Sequence, residues 1–81
     1  MRGNIRMQKY INVGGNSNVE EFAIGTDFID VKFKDTPQIY RYSYNSAGKD
    51  HIEMMKRLAA VGHGLNSYIN HYVKYKYEQK R

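Results

Sequence analysis

The sequence predicts an α+β fold: a small antiparallel sheet of three strands, with a possible fourth from the N-terminal segment, followed by two helices packed on one face. Three observations carry this expectation. Phe28-Ile-Asp-Val-Lys-Phe-Lys34 and Ile39-Tyr-Arg-Tyr-Ser-Tyr-Asn45 alternate with the strand period of two and are split by the turn residues Asp35-Thr-Pro-Gln38. After Asn45-Ser-Ala-Gly48 the apolar period lengthens to about 3.6, the period of a helix. Gly62-His-Gly64 then divides the helical remainder in two.

At the N-terminal end, Ile5, Met7, Ile11 and Val13 alternate with Arg6, Gln8, Tyr10 and Asn12, although Lys9 interrupts the apolar row. Residues 1–16 therefore read as an extension that is either flexible or an edge strand, with 5–13 as its strand-like part. Gly14-Gly-Asn-Ser-Asn18 is a turn or linker, because glycine and asparagine accept positive φ at little steric cost. Val19 to Ile24 reads as a strand ending at Gly25-Thr-Asp27, which leads into the hairpin.

A four-residue loop over Asp35 to Gln38 would set Lys34 opposite Ile39, Phe33 opposite Tyr40, Val31 opposite Tyr42 and Ile29 opposite Tyr44. One hairpin face is then apolar and aromatic, and Tyr40 and Tyr42 are core residues. The other face carries Asp30, Lys32, Lys34, Arg41 and Ser43. A one-residue slip would exchange the two faces on one strand and bury Arg41.

In the first helix Ile52, Met55, Leu58, Ala59 and Gly62 share one side, with Ser46 as the expected N-cap. The second begins near Leu65, with Leu65, Tyr68, Ile69 and Tyr72 as its buried stripe. Lys76 falls into that stripe, so the packed domain is expected over 17–75, and 76–81 is expected to be a basic tail that frays or projects.

Eighty-one residues make one small domain with little stability to spare. The chain has no cysteine, so no disulfide staples it, and a cytoplasmic setting is expected. No apolar run approaches the roughly 20 residues of a membrane span, so no membrane partner is expected. The net charge of +5 is concentrated at the ends: +3 from Arg2, Arg6 and Lys9, and +3 from Lys74, Lys76, Lys80 and Arg81 against Glu78. Basic ends of this kind attract phosphate without reading sequence. His51, His63 and His71 have no zinc-site spacing, and no phosphate loop or nucleophile elbow occurs. The expectation is a non-enzyme without metal or cofactor.

Ser17-Asn-Val19, Ile24-Gly25 followed by Asp27, Tyr40-Arg-Tyr42, and Gly62-x-x-Leu65-Asn66-x-x-Ile69 together resemble the KTSC domain. That small module is found alone in bacterial and phage proteins and at the C-terminus of some lysyl-tRNA synthetases. The resemblance covers about residues 17–73, and Thr26, Gly64 and Val73 stand where the family commonly has aromatics. It implies a compact α+β module with no established catalytic activity, for which RNA binding has been suggested.

Two surfaces carry nucleic-acid chemistry. On the hairpin, Lys32, Lys34 and Arg41 accompany Phe28, the combination of phosphate-seeking cations and a stacking ring that single strands require. On the second helix Asn70, His71 and Lys74, with Lys76 beyond, face away from the apolar stripe, while Asn66 is read as structural, capping the helix or holding the glycine turn. The favoured function is thus binding of RNA or single-stranded nucleic acid. The alternatives are a protein-interaction module or homodimer, through residues 5–13 or through Tyr72, Tyr75 and Tyr77, and a helix-turn-helix-like duplex reader.

Overall fold

The computed structural model describes residues 6–81, so Arg2 and Ile5 lie outside the described residues. Five antiparallel strands form a meander whose spatial order follows the chain: β1 Gln8–Lys9, β2 Val19–Ile24, β3 Phe28–Phe33, β4 Ile39–Ser43 and β5 Gln79–Lys80. Helices α1 (Tyr44–Ala47), α2 (Lys49–Val61) and α3 (Leu65–Tyr68) follow β4, and α3 continues into a π-helical turn, Ile69–Val73. The fold is α+β, with helices on one face of the sheet. Its strands number five because a two-residue strand is added at each edge.

The hairpin register differs from the expected one by two residues. Val31 stands opposite Tyr40, Ile29 opposite Tyr42, Asp30 opposite Arg41 and Lys32 opposite Ile39. A slip of two leaves every side chain on its predicted face, since the side-chain period is two. Ile29, Val31 and Tyr42 are accordingly buried, and Phe33 still meets Tyr40 edge to face at 5.5 Å. The connection is longer than four residues and is held by Thr36, whose hydroxyl accepts the Gln38 N–H at 3.2 Å.

Tyr44 leaves the sheet because it is the first residue of α1. Ser46 caps no helix: Gly48 is the N-cap of α2, and Ser43 is that of α1, where the Ser46 N–H donates to the Ser43 hydroxyl at 3.1 Å and the Ser43 N–H to the Ser46 hydroxyl at 3.0 Å. This reciprocal pair satisfies two amides that a helix start would otherwise leave unpaired. Ile52, Met55 and Ala59 then bury one side of α2 against the sheet, with Leu58 partly buried beside them.

Gly62 ends α2 at φ 83°, its N–H donating to the Leu58 carbonyl at 2.9 Å. A β-carbon there would also lie 2.7 Å from the Ile11 side chain, so glycine is required twice over. Beyond it the buried residues are Leu65, Ile69 and Val73. Tyr72, expected in the stripe, is 50% exposed, and Val73 takes its place. The wider π turn accounts for this, because it holds more than 3.6 residues and advances the buried phase from position 72 to 73.

The N-terminal segment is tied into the core by a residue the alternation placed outside it. Tyr10 is 2% exposed; its ring meets Phe22 edge-on and its hydroxyl accepts the Leu65 N–H at 3.3 Å. Ile11 and Val13, the expected apolar row, are each 67% exposed. The chain turns at Asn12, in the left-handed region at φ 57°, so the strand alternation stops before it reaches these two residues. Tyr10→Ala is expected to cost about 3 kcal/mol in urea denaturation, in line with truncation of a buried aromatic, and removal of residues 1–16 at least as much.

At the opposite edge the expected basic tail is a strand. Lys80 pairs with Tyr40 and Gln79 with Arg41, and the Ile39 and Arg81 backbones exchange hydrogen bonds of 2.7 and 3.0 Å. Among the described residues no helix is long and apolar enough to cross a membrane.

Candidate functional site

Strand alternation sends Phe28, Asp30, Lys32 and Arg41 to the sheet face that no helix covers. Asp30 is only 1% exposed even there, because Arg41 closes over it with two hydrogen bonds, Nε to Oδ1 at 2.8 Å and Nη2 to Oδ2 at 3.1 Å. The Arg41 guanidinium in turn lies 3.8 Å from the centre of the Phe28 ring. Hydrogen bonding to Asp30 holds Arg41 more firmly protonated than an ordinary arginine. Lys32 is paired with Glu20 and holds that carboxyl below its usual range.

Two of the three predicted hairpin cations are therefore neutralised by carboxylates, and the predicted stacking ring is occupied by Arg41. Lys34 is exposed and has no carboxylate within ion-pair distance among the described residues. Arg81 shares the same Asp30 carboxylate, so Lys34 and one guanidinium are in excess of the two paired carboxylates, while pairing cancels most of the field of Lys32 and Arg41 at the distance of an incoming phosphate.

The second predicted set fares differently. Asn70 and Lys74 line a cleft of about 340 Å³ between the end of the β3–β4 hairpin, the π-helical turn and the segment leading into β5. That volume lies at the lower end of the range for small-ligand sites. Its aromatic wall is Phe33, Tyr40, Tyr42, Tyr75 and Tyr77, its amides are Asn18, Asn66 and Asn70, and its cations are Lys74 and Lys80. Asp35, the acidic residue of the lining, accepts a hydrogen bond from Asn18 Nδ2 at 3.2 Å.

Packing fixes the aromatic wall. Tyr77 meets Tyr40 at 5.0 Å and Tyr42 at 6.3 Å, both edge to face, while Tyr75 is 78% exposed at the rim. Burial pushes the Tyr42 phenol well above its usual range. The Lys80 ammonium sits 5.7 Å from the centres of both Tyr40 and Tyr77, and Lys74 sits 5.4 Å from that of Tyr75. Both lysines are thus held over aromatic surface while staying open to water.

His71 and Lys76 are exposed and outside the cleft lining. Asn66 lines the cleft rather than capping a helix: Gly64 is the N-cap of α3, and no side chain bonds to that cap. Phe33 and Asn18 are cleft residues with no binding role expected from the sequence, Lys80 is expected there only as part of a basic tail that assists binding, and Tyr40 and Tyr42 line the cleft as well as the core. Tyr75 and Tyr77 were expected only in the protein-interaction alternative. The signal for Lys80 was its phase with Tyr40 across a strand pair, which cannot be read once 76–81 is taken as a tail. Among the described residues no group of three or more His, Cys, Asp or Glu side chains is placed to hold a metal ion.

The arrangement offers three kinds of contact at once: ring surface for a planar group, amides that both donate and accept, and two water-exposed ammonium groups at the rim. No family model matches the chain, and no curated protein or solved structure matches it either.

Proposed function

We propose that this protein is a non-catalytic, cytoplasmic binding module for single-stranded nucleic acid, RNA in the first place, and that the strand occupies the aromatic cleft. The observation that carries the reading is the convergence of Tyr40, Tyr75 and Tyr77 with Lys74 and Lys80 around one opening. An unpaired base can stack on an aromatic side chain, and its phosphates then fall to cations at the rim. Asn66 and Asn70 supply groups that can pair with a base edge. The resemblance to the KTSC domain belongs to the same proposal and points in the same direction.

A titration followed by fluorescence anisotropy tests it, using an oligouridylate of about eight nucleotides, the matching single-stranded DNA and a duplex of equal length. The single strands are expected to bind more tightly than the duplex. Log affinity is expected to fall against log salt with a slope of roughly −1.4, for two phosphate contacts at about 0.7 each. Preference for the duplex would sink the reading in favour of the helix-turn-helix alternative.

The protein-interaction alternative has an observation of its own. Ile11 and Val13 are exposed apolar residues that both adjoin Gly62, apart from the cleft. No binding of any nucleic acid at low salt would shift the assignment to that surface.

A further inference from the structure

Strand β5 has two residues, and an isolated edge strand of that length has little stability of its own. Yet it brings Lys80 to the cleft, and the chain entering it brings Tyr77. What holds it lies on the other side of the sheet. Alternation along the strand turns Lys80 toward the cleft and Arg81 away from it, where Arg81 Nη2 donates to Asp30 Oδ2 at 3.2 Å.

Arg41 alone already engages both oxygens of Asp30. The burial of this carboxylate therefore does not depend on Arg81. The position of β5 does, because the remaining ties of residues 78–81 to β4 are backbone hydrogen bonds at an exposed edge, from the Glu78 N–H to the Arg41 carbonyl and between Ile39 and Arg81, and the water-exposed contact of Lys80 with the Tyr40 ring. Asp30 is rigid where β5 is not, since it sits mid-strand in β3 between two neighbours, pinned by Arg41, which stacks on Phe28.

Building on the cleft reading, we infer that Asp30 is a positioning residue for nucleic-acid binding: through Arg81 it fixes β5 so that Lys80 completes the cleft on the opposite face beside Tyr77, which its own ring packing holds. A ligand strand would then meet a preorganised site instead of having to order the segment 78–81 as it binds.

Arg81→Ala is the decisive variant, because it leaves the Asp30 to Arg41 pair intact. Hydrogen exchange of the Ile39 amide, which donates to the Arg81 carbonyl, is expected to accelerate about tenfold or more, the equivalent of one charge-assisted hydrogen bond. The Ile52 and Met55 amides in α2 are expected to keep their protection, which shows that the fold persists. In the oligouridylate titration, Lys80→Ala is expected to flatten the salt slope by about 0.7 in the wild-type background and to have no further effect in Arg81→Ala. Lys74→Ala is expected to act equally in both. Unchanged Ile39 exchange, or a full Lys80→Ala effect in the Arg81→Ala background, overturns the inference. If the wild type binds no oligouridylate while Ile39 exchange accelerates, the cleft reading falls and the clamp itself stands.

Discussion

Tyr42→Ala is expected to destabilise the protein by on the order of 3 kcal/mol, the lower end of the range for removing a large buried aromatic. Tyr42 is 1% exposed, stands opposite Ile29 and meets Tyr77 edge-on, so its loss opens a void between the sheet and the segment that closes the cleft. A domain of 81 residues has a stability of roughly 4–12 kcal/mol at the usual value per residue, so the change removes a large fraction of it. Urea denaturation with an unchanged m-value is the measurement. A variant as stable as the wild type would mean that Tyr42 is not in the core and that the faces of β4 are reversed. The experiment separates the two faces but not the two registers that share them. For that, a nuclear Overhauser contact between Tyr42 and Ile29 directly across the strands is expected.

The sequence held the information to choose between those registers. A four-residue loop pairs Lys32 with Arg41, two like charges directly opposite one another, whereas the observed register pairs Asp30 with Arg41. Alternation is blind to a slip of two residues, but cross-strand charge is not. The same consideration foretells that Asp30 is paired with Arg41. The faces of the hairpin, the glycine stop after α2 and the buried Leu65 and Ile69 were legible because each repeats a period over many residues or needs a particular backbone angle. The N-terminal edge strand was legible only as one of two alternatives for residues 5–13, and the C-terminal one was not, because two residues carry no period. Nor was the π turn, which leaves no mark in composition. The burial of Tyr10 is hidden for a related reason: it depends on the turn at Asn12, which breaks an alternation that looks continuous in the sequence.

These differences move the expected binding residues from one side of the sheet to the other, and charge reversal gives the largest contrast. Lys74→Glu with Lys80→Glu is expected to weaken oligouridylate binding by about thirtyfold at moderate salt. A lysine about 5 Å from a phosphate contributes about 0.8 kcal/mol in water, and reversal removes that attraction and adds an equal repulsion. Two lysines therefore amount to about 3 kcal/mol, which screening reduces to about 2, or a factor of about thirty. Lys32→Glu with Lys34→Glu makes the same change in net charge on the uncovered face. It is expected to cost only a few-fold, through the long-range field alone, and it leaves the Asp30 to Arg41 pair in place so that the fold is not the variable. Equal losses from the two double variants would mean diffuse attraction to a basic protein with no defined site. A larger loss from the Lys32 and Lys34 pair would return the site to the hairpin face, where Glu20 would then have to release Lys32 when a phosphate arrives. The cleft lysines carry the expectation because their neighbours are rings rather than carboxylates: a cation held over an aromatic face keeps its charge available to a ligand, and one already paired with a carboxylate does not.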